Sequence, residues 1–170
     1  MKKLLVISVL TLLLFNCKKT DSGSNNQECI YDSCALKAPA SEIQSVQAYL
    51  SANTIIATQH CSGLFYSIET PGSGLTPTAC SGVTVKYVGK LTNGAVFDQT
   101  AGSNSVSFYL SQVIRGWTNG IPYIKPGGKI HLYIPPTLGY GAADKKDVNG
   151  NVIIPGNSIL VFDVDLVAVY

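Results

Sequence analysis

Few side chains in this 170-residue sequence have the types that acid–base, nucleophilic or nucleotide chemistry requires. It contains two histidines, His60 and His131, and neither accompanies the nucleophile-elbow pattern of α/β-hydrolases. Gly127-Gly128-Lys129 lacks the first glycine of a phosphate-binding loop, because Tyr123 occupies that position. The sequence therefore argues against hydrolytic and nucleotide-dependent activity, and it predicts no cofactor.

The five cysteines do not form the paired C-x₂-C knuckles of zinc sites, so no metal site is predicted. One of them, Cys17, follows an apolar N-terminal run, and the other four are Cys29, Cys34, Cys61 and Cys80. In an exported protein these four are better explained as disulfides, and three pairings are possible. We expect Cys29–Cys34 and Cys61–Cys80, because Cys61 and Cys80 each directly precede a predicted strand of the same domain.

The N-terminus has the pattern of an export signal. Met1-Lys2-Lys3 precedes an apolar run from Leu4 to Phe15, which is shorter than the ~20 residues that span a bilayer. We therefore predict a signal peptide over residues 1–16. The next residue, Cys17, resembles the lipid-attachment cysteine of bacterial lipoproteins, although Phe15 and Asn16 stand where that pattern has small residues. A plain signal peptide or an uncleaved anchor are the alternatives.

Cleavage before Cys17 would also change the charge of the chain. The twelve Lys and Arg residues would fall to ten with the loss of Lys2 and Lys3, which balances the ten Asp and Glu residues. A neutral chain does not fit a nucleic-acid-binding protein, which depends on phosphate contacts. We expect a monomer in the cell envelope, held by its lipid anchor to a membrane, with the outer membrane favoured.

The remaining chain divides into a lipid-anchored tether (17–38), an N-terminal helical spacer (39–60) and a strand-rich domain (61–170). In the spacer, Ser41 is a candidate N-cap for a helix over 41–52. The domain contains alternating apolar runs, an Asn93-Gly94 turn, a short helix over 112–120 and a long loop over 136–157. This order predicts an α+β fold, a twisted antiparallel sheet with one short helix laid across it.

Aromatic and branched residues are concentrated on the predicted concave side of that sheet. Any one of them could simply belong to the core, but together with their spacing they predict an apolar cleft. The candidates are Tyr87, Phe97, Phe108, Val113, Ile114, Trp117, Tyr140, Ile154 and Phe162.

From about Leu64 to Val169 the sequence resembles the FKBP-type peptidyl-prolyl cis–trans isomerases. Each fragment that carries the resemblance is weak alone, but they follow in register over about a hundred residues. The fragments are 85–91 (VKYVGKL), 94–98 (GAVFD), 108–110 (FYL), 113–117 (VIRGW), 125–129 (KPGGK), 134–135 (IP), 138–141 (LGYG), 153–158 (IIPGNS) and 160–166 (LVFDVDL).

The resemblance implies a twisted antiparallel sheet wrapped around a short helix, with a hydrophobic cleft that accepts proline-containing polypeptides. Trp117 would form the floor of the cleft. Tyr87, Phe97 and Phe162 would form its walls, and Val113 and Ile114 would lie at the start of the helix. Three residues are implied in catalysis: Asp98, Tyr87 and Tyr140. The Ile114 N–H and the Tyr140 hydroxyl would each bind a substrate carbonyl, and Asp98 would lie beside Tyr87.

Two features depart from the family pattern. Val106 stands where eukaryotic members often have an aromatic residue, and the loop after Tyr140 is longer and more polar. Both bear on substrate preference and on the affinity for macrolide inhibitors. Two other interpretations remain: a non-catalytic module that grips proline-containing segments as a chaperone, and a structural envelope lipoprotein in which the cleft is only core.

Overall fold

The alternating stretches form an antiparallel sheet in the computed structural model, which describes residues 29–170. The predicted signal peptide, Cys17 and the first part of the tether lie outside the described residues. The strands are β1 Thr58–Gln59, β2 Phe65–Thr70, β3 Gly82–Leu91, β4 Val96–Gln99, β5 Val106–Tyr109, β6 Lys129–Ile134, β7 Lys145–Lys146, β8 Val152–Ile154 and β9 Leu160–Val169. The helices are α1 Ala40–Ala52 and α2 Arg115–Gly120, with 3₁₀ turns at Leu110–Gln112, Ile121–Tyr123 and Pro136–Leu138.

Strand β3 pairs with two short strands, β4 and β5, at the edge of the sheet beside the cleft. The strand order is β1-β2-β6-β9-β3-β4, and β5 also pairs with β3. Strand β4 pairs with the end of β3 at Val88–Lys90, and β5 pairs with its beginning at Gly82–Val85. Two short strands therefore follow one another along one edge, and both supply residues beside β3.

The register places two different surfaces on the two faces of the sheet. Leu132 of β6 lies opposite Phe162 of β9, and their face packs against α2 in the main core. On the other face Phe65, Tyr133 and Val161 are aligned partners, and they form a second apolar cluster with α1. Successive side chains of a strand point to opposite faces of the sheet. Neighbouring apolar residues in one strand therefore belong to different apolar clusters.

Helix α1 packs directly on the sheet through Val46 and Leu50. The predicted N-cap at Ser41 is wrong, because Pro39 holds that position and its carbonyl accepts the N–H groups of Glu42 and Ile43. Proline lacks a donor and has a fixed φ, so it is tolerated where a helix begins. The Glu42 carboxylate accepts hydrogen bonds from the backbone N–H and hydroxyl of Thr137, at 2.9 and 2.8 Å, which ties α1 to the 3₁₀ turn after β6.

Two segments of the domain differ from the sequence expectation. Residues 136–157 were expected to be one loop, but they contain a 3₁₀ turn and the β7–β8 hairpin. Asn149-Gly150 turns that hairpin, with Gly150 at φ +87° and Asp147 accepting the Asn149 and Asn151 N–H groups. The predicted helix over 112–120 begins only at residue 115, because Ile114 is extended at ψ 146°.

Within residues 29–170, no helix is both long and apolar enough to cross a membrane.

Candidate functional site

The cleft floor is the indole of Trp117, which is 5% exposed. Its ring lies edge-on to Tyr87 and Phe162, both with ring centres 5.1 Å away, and tilted against Phe108 at 5.3 Å. The indole Nε1 is buried and has no hydrogen-bond partner among the described residues. Three aromatic rings, those of Tyr87, Phe108 and Phe162, therefore form the immediate surroundings of this floor.

Two glycines allow α2 to lie close enough to the sheet to present this ring. A Cβ on Gly116 would stand 2.5 Å from the side chain of Ile134, and one on Gly120 would stand 2.5 Å from that of Leu132. The backbone of α2 therefore packs directly against the side chains of the sheet, on either side of Trp117 in sequence.

The walls of the cleft come from five separate parts of the chain. The cavity has a volume of about 330 Å³. Its lining residues are Tyr87, Asp98, Val106, Phe108, Gln112, Val113, Ile114, Trp117, Tyr140 and Phe162.

The polar side chains of the cleft are two phenols, one carboxylate and the amide of Gln112. The Tyr87 hydroxyl donates to Asp98 Oδ2 at 2.6 Å. Burial, and then the hydrogen bond to Asp98, raises the pKa of Tyr87. Burial, and then the Asp98 charge, also raises the pKa of Tyr140. Both phenols therefore remain neutral donors at physiological pH, and the cleft contains no histidine.

A family model described as FKBP-type peptidyl-prolyl cis-trans isomerase matches residues 74–167, more than half of the chain. The chain belongs to this family. The match covers the cleft residues and leaves out α1, β1, β2 and the segment before them.

Relatives and solved structures agree with this assignment. A probable FKBP-type peptidyl-prolyl cis-trans isomerase of Haemophilus influenzae is 46% identical over 109 residues, which cover 64% of this chain and 43% of the relative. The enzyme FkpA of Escherichia coli K12 is 46% identical over 108 residues, 63% of this chain and 38% of the relative. The chain thus spans less than half the length of these curated relatives.

Two crystal structures show the same fold. FkpA from Escherichia coli has a TM-score of 0.65 at 38% identity, covering 76% of this chain and 60% of the other. A peptidyl-prolyl cis-trans isomerase from Pseudomonas syringae has a TM-score of 0.64 at 31% identity, covering 78% of this chain and 97% of the other. The predicted α+β, FKBP-like architecture is confirmed.

The structure brings most of the predicted site residues of this FKBP domain together, with two exceptions. Phe97 lies edge-on to Phe162 with ring centres 5.4 Å apart, and Ile154 is buried in the core. Neither lines the cavity in its present shape. Gln112 does line it and was missed, although its position between Phe108 and Val113 could have indicated this.

The predicted disulfide pairing is wrong. The structure joins Cys29 to Cys80 and Cys34 to Cys61. The segment before α1 folds back along the domain instead of closing on itself, so each of its cysteines meets a distant partner. The preference for Cys29–Cys34 depended on proximity in sequence, and that does not decide which surfaces meet.

A second, more polar cavity of about 260 Å³ lies on the other side of α2, beside Cys29, His60 and Asn119. Near it, ligand atoms of Cys34, His60 and Cys61 lie within 4.8 Å of one another. The two sulfur atoms are bonded to each other, so this cluster has no thiolate to offer a metal ion.

Proposed function

We propose that the protein is a peptidyl-prolyl cis–trans isomerase that acts on X-Pro bonds of exported or envelope proteins and so assists their folding. The observation that carries the proposal is the aromatic cleft over Trp117, with the Tyr87–Asp98 pair at its edge. Membership of the family supports it.

The chemistry of the reaction fits a cleft of this kind. Rotation about a peptide bond faces a barrier of about 18–20 kcal/mol, which arises from lost resonance. The twisted amide is less dipolar than the planar one, so an apolar cleft stabilises it relative to water. Each ~1.4 kcal/mol of such differential binding accelerates the rotation about tenfold. The reaction needs no nucleophile, because no covalent bond is made or broken.

We assign roles to the polar groups on this basis. The prolyl ring packs on Trp117, and the Tyr140 hydroxyl and the Ile114 N–H donate to substrate carbonyls. Tyr140 suits this role because it is neutral and partly exposed at the mouth of the cleft. Asp98 holds Tyr87 in place and lies beside the rotating bond.

A protease-coupled assay with a proline-containing peptide tests the proposal. We expect the wild type to accelerate isomerisation and Tyr140→Phe to lower kcat/KM about 2- to 10-fold, the equivalent of one hydrogen bond of ~0.5–1.5 kcal/mol. Tyr109→Phe is the matched control, because Tyr109 packs on Tyr170 and does not line the cleft. If the peptide quenches Trp117 fluorescence in the folded wild type but its isomerisation is not accelerated, the protein is a binding module instead.

A separate experiment concerns macrolide inhibitors. Quenching of Trp117 fluorescence by a macrolide tests whether this cleft also binds such inhibitors.

We also propose that the protein is exported and anchored by lipid on Cys17, with the outer membrane as its site. Two disulfides support an oxidising compartment, since cytosolic proteins rarely keep them. Labelled palmitate should be incorporated by the wild type and lost in Cys17→Ser. Equal labelling of both would refute the anchor.

A further inference from the structure

Asn119 of α2 makes a set of contacts that the cleft itself does not explain. It is 5% exposed and lines the second cavity. Its Oδ1 accepts a hydrogen bond from the Tyr31 hydroxyl at 2.6 Å. Its Nδ2 donates to the Ser33 carbonyl and to Ser62 Oγ, both at 3.1 Å. Every polar atom of this buried amide is therefore satisfied by a residue outside the region that matches the FKBP family.

Two of these partners belong to a segment that we call the strap, residues 29–35. Its disulfides from Cys29 and Cys34 attach it to Cys80 and Cys61. The Tyr31 ring also lies 5.5 Å below the guanidinium carbon of Arg115. One tyrosine of the strap thus contacts both the first turn and the last turn of α2.

The third partner continues the network beneath the strap. Ser62 is fully buried, and its Oγ lies 2.8 Å from His60 Nδ1. The Ser62 N–H also points to Nδ1, at 3.2 Å, so this nitrogen is an acceptor. Asn119 therefore donates to Ser62, which donates to His60. Each member fixes the orientation of the next.

Helix α2 needs external support of this kind. It has six residues, far fewer than the ~12–15 at which an isolated helix becomes even marginal in water. Trp117 lies between Arg115 and Asn119, the two residues that the strap contacts. Helix α2 is thus contacted by the sheet at Gly116 and Gly120 and by the strap at Arg115 and Asn119.

We propose that Asn119 is a positioning residue for the isomerase reaction, through which the disulfide-tethered strap holds Trp117 at the cleft floor. The inference rests on the proposed isomerase function. A purely structural amide would contribute to stability alone, whereas a positioning residue alters the cleft of the folded protein. Hence the decisive measurements are made on the folded protein.

The test compares Asn119→Ala and Tyr31→Phe with the wild type, all as the full chain. Tyr31→Phe removes one hydroxyl and keeps the ring under Arg115, so it serves if Asn119→Ala does not fold. Tyr49→Phe is the matched control, because that hydroxyl is lost from α1 on the opposite face of the sheet. Trp117 is the single tryptophan, so its emission reports on the cleft floor directly.

Under conditions where circular dichroism shows the variants to be folded, we expect Asn119→Ala and Tyr31→Phe to shift Trp117 emission and raise KM more than they lower kcat. Asn119→Ala should lower kcat/KM about tenfold. A misplacement of 1 Å can lower the rate about 100-fold, and we expect a smaller displacement of Trp117 because the sheet still supports α2. Tyr49→Phe should match the wild type in both readouts.

Folded variants with wild-type emission, KM and kcat would overturn the positioning role, even if they unfold at lower urea concentration. If the wild type itself does not isomerise the peptide, the proposed function fails separately. The emission of Trp117 and the Kd for the prolyl peptide then still decide the positioning role: unchanged values refute it and altered values support it.

Discussion

At the residue scale, the cleft combines apolar rings with polar groups that stay neutral, apart from one carboxylate. Tyr87 and Tyr140 are both held in the phenol form by burial and by Asp98. Asp98 Oδ2 accepts a hydrogen bond from the Tyr87 hydroxyl, at 2.6 Å. The Tyr87 ring packs edge-on against Trp117. The hydrogen bond between Tyr87 and Asp98 therefore orients both the Tyr87 ring and the Asp98 carboxylate.

The first prediction concerns this pair. Asp98→Val should lower kcat/KM more than tenfold without unfolding the domain, because it removes the carboxylate that we propose lies beside the rotating bond and the acceptor of the Tyr87 hydroxyl. The protease-coupled assay measures the rate, and circular dichroism checks the fold. Asp165→Val is the control, since that carboxylate lies on the outer face of the sheet near Lys129. Near-normal turnover by folded Asp98→Val would contradict the assigned role.

The second prediction concerns His60, whose pKa burial lowers below 6.5. In the folded state its Nδ1 accepts from Ser62, and protonation would replace that acceptor with a donor. Between the folded pKa and 6.5 the unfolded chain binds more protons, so the free energy of unfolding falls as pH is lowered through this window. The contribution of neutral His60 to the free energy of unfolding is fully present above pH 6.5 and is lost below the pKa of His60 in the folded state. Urea unfolding at a series of pH values measures this dependence. The free energy of unfolding should change less steeply with pH in His60→Gln than in the wild type. His131→Gln, which alters a histidine on the outer face beside Asp163, should retain the slope that His60 contributes.

At the element scale, α1 is integrated with the sheet through the face opposite the cleft. Leu50 is 6% exposed and packs with Phe65, Tyr133 and Val161. Strand β1, which also precedes the predicted domain start at residue 61, pairs with β2. The predicted spacer is therefore in direct contact with the strands of the domain.

The third prediction follows from this packing. Leu50→Ala should reduce the free energy of unfolding by about 2–5 kcal/mol, the usual cost of a cavity at a buried leucine. The value of kcat/KM at a temperature where the variant is folded should not change, because α1 does not touch the cleft. Gln44→Ala, on the exposed side of α1, should stay within about 0.5 kcal/mol of the wild type in urea unfolding. A Leu50→Ala variant as stable as the wild type would mean that α1 is only a spacer.

At the scale of the whole molecule, two disulfides join the N-terminal segment to the domain. They connect residues 51 and 27 positions apart in sequence. A cross-link restricts the unfolded chain, and the restriction grows with the length of the loop that it closes.

The fourth prediction is that the double variants Cys29→Ser/Cys80→Ser and Cys34→Ser/Cys61→Ser each lose about 4 kcal/mol of unfolding free energy in the chain-entropy model. Urea unfolding of each double variant measures the loss. Peptide mapping of the unreduced wild type should recover Cys29 with Cys80 and Cys34 with Cys61. Recovery of Cys29 with Cys34 would contradict the structure and restore the pairing expected from the sequence.

Much of the fold and of the cleft could be predicted because it depends on local patterns. Alternation of apolar residues identified β3 and β9, and the Asn93-Gly94 turn lies between β3 and β4 as predicted. The same type of turn at Asn149-Gly150 was overlooked, because the polar residues around it masked two very short strands. The fragments that match the family lie in order along the chain, so a family resemblance could locate the cleft residues.

Local patterns were enough to predict which residues face the core and which side chains form the aromatic cleft, because strand periodicity and family motifs are local properties of the chain. The disulfide partners, the place of Gln112 in the cavity lining and the contact between the strap and Asn119 came only from the tertiary structure. These depend on which distant surfaces meet. That choice is made by the packing of the whole core, and no short stretch of sequence records it.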